Sequence, residues 1–281
     1  MMSKHIIFYT PDEIPMNILF KGITKHYFPI AAVFRAAKEL ELDSVIIDVN
    51  NDGFISASMD RSHVRYYEFR FPREAFNNYE LKQNLGFSID RRVGEKIAQI
   101  WDELSHDYYE HAIKLYHLEG TSEKTRGLFF AVGLKSVQFA LKVKEETIVP
   151  SPVSFGNYHA YARVDADELL KALKPVAKLK LDTIKLELSG DELVLTHRNE
   201  TLNEENCFAT VKVYNAKGSA VSYYGIDRFI PLLRIIREYS NEVQLAFGDD
   251  YPVKMSTVWS AGELAFVIAP RKPLNLLGGN S

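Results

Sequence analysis

A chain of 281 residues is long enough for two domains of ordinary size, each able to bury a core of its own. Its 46% hydrophobic and 25% charged content argues against disorder, and its apolar runs are broken by charge well short of the ~20 residues needed to span a bilayer, so no membrane partner is expected. A single cysteine, Cys207, excludes an intrachain disulfide and a multi-cysteine zinc site; with no signal-peptide pattern at the start, an intracellular home, cytoplasmic (nucleoid) or nuclear, is expected.

In chain order, an apolar lead at 18–23 precedes a helix at 29–40, with Pro29 in its first turn and Ile30, Val33, Phe34, Ala37 and Leu40 recurring at the spacing of one buried helical face. Strand-like 45–49 turns at Asn51-Asp52-Gly53 into 54–58, which predicts a hairpin. A strand at 64–71 follows, then a helix at 91–104 with Val93, Ile97, Ile100, Trp101 and Leu104 inward, then strands at 112–118 and 127–132. Segment 134–157, with Pro150 and Pro152 two apart, predicts an extended connector. Beyond it come a helix at 165–179 with Leu169, Leu170, Leu173, Val176 and Ala177 inward and a kink expected at Pro175, and hairpin strands at 184–188 and 193–197. A strand at 208–214, a helix at 228–239, and strands at 243–247, 253–258 and 264–268 complete the chain.

The second half repeats the first. Leu42-Asp43-Ser44-Val45-Ile46 returns as Leu181-Asp182-Thr183-Ile184-Lys185, and Ser88-Ile89-Asp90-Arg91 returns at nearly the same offset as Gly225-Ile226-Asp227-Arg228. A period of about half the chain means two similar domains rather than a solenoid. Each reads as helix, strands, helix, strands, with boundaries at 18–133 and 158–271 around the connector.

All four helices carry cations off the apolar face: Arg35 and Lys38; Arg92 and Lys96; Lys171, Lys174 and Lys178; Arg234 and Arg237. Any one such stripe reads first as a solvated amphipathic face. Four equivalent helices in a chain of net charge −3 point further, to a basic side that contacts phosphates without sequence preference.

At this point the residues resemble a known family, the sliding clamps of the proliferating cell nuclear antigen type. The stretch from Asn51-Asp52-Gly53 through Met59-Asp60-Arg61-Ser62-His63-Val64 is similar to the family's turn, strand and Met-Asp-x-Ser-His-Val segment. Tyr251-Pro252-Val253 and the closing Leu264-Ala265-Phe266-Val267-Ile268-Ala269-Pro270-Arg271 resemble its closing strand and terminal Ala-Pro-basic signature. The resemblance implies an α+β chain of two domains of the DNA-clamp fold, helices on one face of antiparallel sheets. It implies a homotrimeric ring whose helices line a hole for double-stranded DNA, closed by pairing of the segment near 127–132 with that near 208–214 of a neighbour. The implied role is a non-enzymatic processivity factor in DNA replication and repair, without cofactor or metal. The implied partners are a clamp loader, and a DNA polymerase, nuclease and ligase held through short peptide motifs. Their pocket would use Met59, His63, Val64, Ile148, Val149, Pro150, Pro252, Val267, Ala269 and Pro270. The opening segment 1–19 and the long aromatic stretch at 98–120 depart from the family pattern, Val267 stands where an aromatic is common, and a heteromeric or checkpoint-like clamp subunit stays open as the alternative.

Rival chemistry is thinly supported. His63 near Asp60 has no nucleophile context, and His106, His111 and His117 with Asp107 and Glu110 are spaced at five and six, which does not stack metal ligands on one helical face. Asp48, Asp52 and Asp60 are scattered carboxylates that a metal-dependent nuclease could use.

Overall fold

The computed structural model describes residues 6–8, 16–25, 30–105, 110–119, 126–134, 138–147, 153–156, 158–179, 181–199, 204–259 and 262–271. The chain divides into two compact units, one of 1–58, 68–151 and 260–263, the other of 59–67, 152–259 and 264–281.

The first unit holds β1 (Ile6–Phe8), β2 (Met16–Thr24), α1 (Ile30–Glu39), β3 (Ser44–Asn50), β4 (Gly53–Met59) and most of β5 (Arg65–Pro72). It continues with β6 (Asn78–Leu81), β7 (Leu85–Asp90), α2 (Arg91–Ser105), β8 (His111–Glu119), β9 (Arg126–Leu134), β10 (Gln138–Lys142) and β11 (Lys144–Glu146). One sheet runs β1-β10-β9-β8-β2-β6, and β11-β7-β3-β4 form another, with antiparallel neighbours throughout the registered pairs. Phe20, Phe54, Phe76 and Tyr79 meet mostly edge to face in the core, with centroids 4.9–5.9 Å apart, the arrangement the ring quadrupoles favour.

The β3–β4 hairpin turns as its sequence predicts, with Asn50 opposite Gly53. Gly53 has φ +128°, and a Cβ there would lie 2.3 Å from the Phe71 carbonyl oxygen, so glycine is required twice over. Gly94 does a different job. A Cβ on it would come within 2.0 Å of the Phe34 ring, so its missing side chain is what lets α2 approach α1. Of the predicted α2 face, the side chains of Ile97, Ile100, Trp101 and Leu104 lie outside the described residues, as do Pro29 and the side chain of Ile30.

The second unit holds β12 (Ala160–Asp165), α3 (Ala166–Lys178), β13 (Thr183–Ser189), β14 (Glu192–Asn199), β15 (Glu204–Lys212) and β16 (Tyr214–Lys217). β17 (Ala220–Gly225), α4 (Ile226–Tyr239), β18 (Glu242–Phe247), β19 (Val253–Trp259) and β20 (Gly262–Ile268) follow. β15-β14-β13-β17 form one sheet; β20-β19-β18-β12-β16 lie in order in the other, with the opening residues of β5 beside β20. Asp165 caps α3, its carboxylate accepting from the Glu168 N–H at 2.9 Å, worth about 1 kcal/mol. Leu169, Leu173 and Val176 are buried, each contributing about 1.5–3 kcal/mol. The helix runs through Pro175 to Lys178, so the proline sits one turn before the natural end, where Leu179 N–H caps back to the Pro175 carbonyl at 3.0 Å.

Four sequence expectations need correction. A strand, β2 or β12, directly precedes the first helix of each unit and is masked by that helix's periodicity, and β7 and β17 escape the pattern as well. The Ile-Asp-Arg match between the halves is out of register: Ser44 pairs with Asp90 and Thr183 with Gly225, so Asp90 corresponds to Gly225 and the likeness is a slip along the chain. The 134–157 connector contains two strands, β10 and β11. Finally, β9 is interior to its sheet, between β8 and β10, so 127–132 has no free edge to offer a neighbour; β15 does end its sheet among the described residues.

Candidate functional site

On the second unit, α3 and α4 pack side by side and leave a groove of about 440 Å³ between them. Lys171, Lys174, Lys178 and Arg234 line it, with Leu170, Ala177 and Ile230 as an apolar floor and Asp167 at one side. Leu170 and Ala177, expected inward, are only half-buried because they form this floor. All four cations are exposed, as phosphate contacts require. Arg237 behaves differently: its Nε pairs with Asp167 Oδ1 at 2.7 Å. That pairing holds the Asp167 carboxyl below its ordinary range and raises the guanidinium. On the first unit Lys38, Arg92 and Lys96 are exposed and Arg35 is half-buried.

The described residues of the other predicted site also fall on the second unit. Its organiser is Asp60, 3% exposed, whose Oδ1 accepts from the Val64 N–H at 2.8 Å and the Arg65 N–H at 3.1 Å, while Oδ2 accepts from Ser62 Oγ and Arg65 Nε, both at 2.9 Å. Burial alone would push this carboxyl up; the Arg65 guanidinium and the other donors outweigh it, and the group is held below the usual carboxylate range. The loop thus closed presents His63 exposed at φ +57°. Asp60 is therefore the scaffold of the segment, an arrangement that leaves its oxygens occupied.

The Ala269 N–H donates to the Val64 carbonyl at 2.8 Å, which brings the closing segment against this loop, and Arg271 N–H fastens to the Tyr223 carbonyl at 2.7 Å. Tyr224 Oη donates to the Tyr251 carbonyl at 2.8 Å and so fixes the residue before Pro252. Met59, Val64, Pro252, Ala269 and Pro270 are partly exposed; Val267 is buried at 4% and supports the surface from beneath. Ile148, Val149 and Pro150 lie outside the described residues. Sequence reasoning missed Tyr66, whose hydroxyl accepts from the Val153 N–H at 3.1 Å and whose ring lies 5.7 Å from Phe155, tying 153–155 to β5. The signal was available in Val153 and the aromatic Phe155 beside two prolines, which read only as linker composition.

No cluster of His, Cys, Asp or Glu able to hold a metal occurs among the described residues. His111 is buried on β8, and burial lowers its pKa; His117 faces Glu145 at 3.9 Å; His106 and Asp107 lie outside the described side chains. No described helix is long and apolar enough to cross a membrane.

No protein-family model matches the chain. It is 23% identical over 243 residues to the DNA polymerase sliding clamp of Methanococcus maripaludis, covering 82% of this chain and 90% of that one. It superimposes on proliferating cell nuclear antigen from Thermococcus kodakaraensis with a TM-score of 0.70 at 20% identity, over 90% of this chain and all of the other. The chain is a homologue of the sliding clamps and has their fold. A further clamp structure, from A. fulgidus with the C-terminal region of FEN-1 bound, matches with a TM-score of 0.67 at 16% identity over 90% of this chain and 98% of the other. In this homologue the described part of the predicted peptide pocket is drawn from 59–64, 252 and 267–270, all within one unit.

Proposed function

We propose that the protein is a DNA sliding clamp: a ring of identical subunits that encircles duplex DNA and tethers polymerase and other replication and repair proteins, without turnover of its own. The observation that carries this reading is the groove of Lys171, Lys174, Lys178 and Arg234 on the paired helices of a duplicated clamp fold. Flexible cations hold phosphates without direction or sequence, so they orient DNA while letting it slide. Retention would come from topology.

The internal repeat supports a specific closure. β5 follows β4 in the first copy as β15 follows β14 in the second, and β10 ends the first copy's β8-β9-β10 series as β20 ends β18-β19-β20. Since β20 has β5 beside it, the equivalent partners are β10 and β15, which belong to different sheets of one chain and would pair between neighbours. The stoichiometry proposed is three subunits.

Clients would dock an apolar anchor on the surface of Met59, Val64, Pro252, Ala269 and Pro270, with Ile148, Val149 and Pro150 completing it. The FEN-1 complex of a similar clamp supports this, with a nuclease as one client class. The test is retention of the protein on closed circular DNA after loading, before and after a single cut. Loss on linearisation is expected; equal retention on both overturns the clamp. The heteromeric reading is favoured by the strand β1, which occupies the β10 edge of this chain, and a ring mass obtained only with an unlike subunit would establish it.

A further inference from the structure

The edge of β10 is not bare. β1 lies along it antiparallel, with Ile6 opposite Leu141, Ile7 opposite Ala140 and Phe8 opposite Phe139. This is the side of β10 that the repeat assigns to β15 of another copy, so two strands have a claim on one row of backbone donors and acceptors. We infer that β1 is a self-strap: the chain's own first strand closes the assembly edge, and the ring interface forms when β15 of a second copy displaces it. The inference rests on the closure described above and adds to it a step that the ring must pass through.

The lengths of the competitors decide the direction. β1 pairs with three of the five residues of β10, whereas β15, nine residues long, can cover all five, and each further residue in register adds ladder bonds and cross-strand contacts. A strap of this kind lowers assembly at low concentration and protects a strand edge from indiscriminate pairing, without abolishing the ring.

The experiment uses the full chain. Adjacent residues of a strand point their N–H groups to opposite sides, so either Ile7 or the pair Ile6 and Phe8 donates toward β10, and replacing both Ile6→Pro and Ile7→Pro removes at least one of those donors in either case. Directly opposed residues lie within disulfide reach, so Ile7→Cys with Ala140→Cys, in a Cys207→Ser background, locks the strap when oxidised. Sedimentation over a range of concentrations should show the double-proline chain assembling at about tenfold lower concentration than the parent, a shift of about 1.4 kcal/mol per tenfold. The oxidised locked chain should stay at subunit mass and regain assembly on reduction. Equal assembly of the oxidised and reduced forms overturns the strap, because both contain the same residues and differ only in whether β1 can leave. Retention on circular against cut DNA is measured separately: a lock-dependent mass with no topological retention upholds the strap and removes the clamp reading.

Discussion

The two helix pairs are built on one plan and charged on different ones. In the first unit α1 is buried on nearly every side, at Ala31, Ala32, Val33, Phe34, Ala36 and Ala37, leaving Lys38 as its exposed cation. In the second, α3 buries a narrower stripe of Leu169, Leu173 and Val176, and its three lysines stand along an open groove with Arg234 of α4 opposite. The helix starts differ as well. Asp90 caps α2 with its carboxylate, accepting from the N–H groups of Arg92 at 2.9 Å and Val93 at 3.2 Å, whereas Gly225 precedes α4 with no side-chain cap. A duplicated scaffold keeps its strand register and varies its helix surfaces, where substitution costs little packing.

If that contrast carries function, charge reversal must be unequal between the units. Lys171→Glu, Lys174→Glu and Lys178→Glu together should leave the fold intact, abolish stimulation of a polymerase on primed circular DNA, and reduce the salt slope of DNA retention by about 3. Arg92→Glu with Lys96→Glu should reduce it by at most about 2. Equal losses from both sets would break the comparison.

The scaffolds can be compared in the same way. Asp60→Ala strips the Val64, Arg65 and Ser62 donors of a nearly buried carboxylate and should cost about 3–5 kcal/mol in chemical denaturation, because those donors and the Arg65 guanidinium lose the carboxylate that compensates them. The sign of the pH dependence follows from the lowered pKa. The contribution is complete above the ordinary carboxylate range and is lost as pH falls below it, so the wild-type and Asp60→Ala unfolding curves should converge in acid. Gly94→Ala in the first unit should cost about 1–3 kcal/mol, since the methyl meets the Phe34 ring. Tyr66→Phe removes one hydrogen bond and should cost about 1 kcal/mol, read as faster proteolysis near 153–155.

What was legible in the sequence follows the range of the interaction. Helices α1 to α4, the Asn51-Asp52-Gly53 turn and the hairpins are set by periodicity and turn chemistry between near neighbours, and the structure has them close to the expected ends. β7 escapes the pattern because Leu85–Asp90 is buried on both faces for most of its length, and β17 because its alternating burial puts the polar Ser222 inside and leaves Val221 half-buried, so burial does not follow polarity in either. The interior position of β9 could not be read at all, because it depends on β10 folding back against it from residues that look like a linker. The exposed cations were legible as types and spacings. The Arg237–Asp167 pair was not, since it joins two helices far apart in the chain.

That pair supplies the smallest and sharpest test of the groove. Asp167 lines the same groove as Lys171, Lys174 and Lys178 and withdraws Arg237 from the phosphate-binding set while adding a negative charge to the lining. Its lowered pKa keeps it ionised throughout the neutral range, so no ordinary change of assay pH relieves it. Asp167→Asn removes the charge, keeps the shape, and releases the guanidinium to the groove. The salt slope of DNA retention should then rise by about 1. Thermal stability should barely move, because an exposed ion pair stabilises little. A slope that stays at the wild-type value would mean that the α3–α4 groove faces something other than the phosphate backbone, and the contrast between the two helix pairs would then need another explanation.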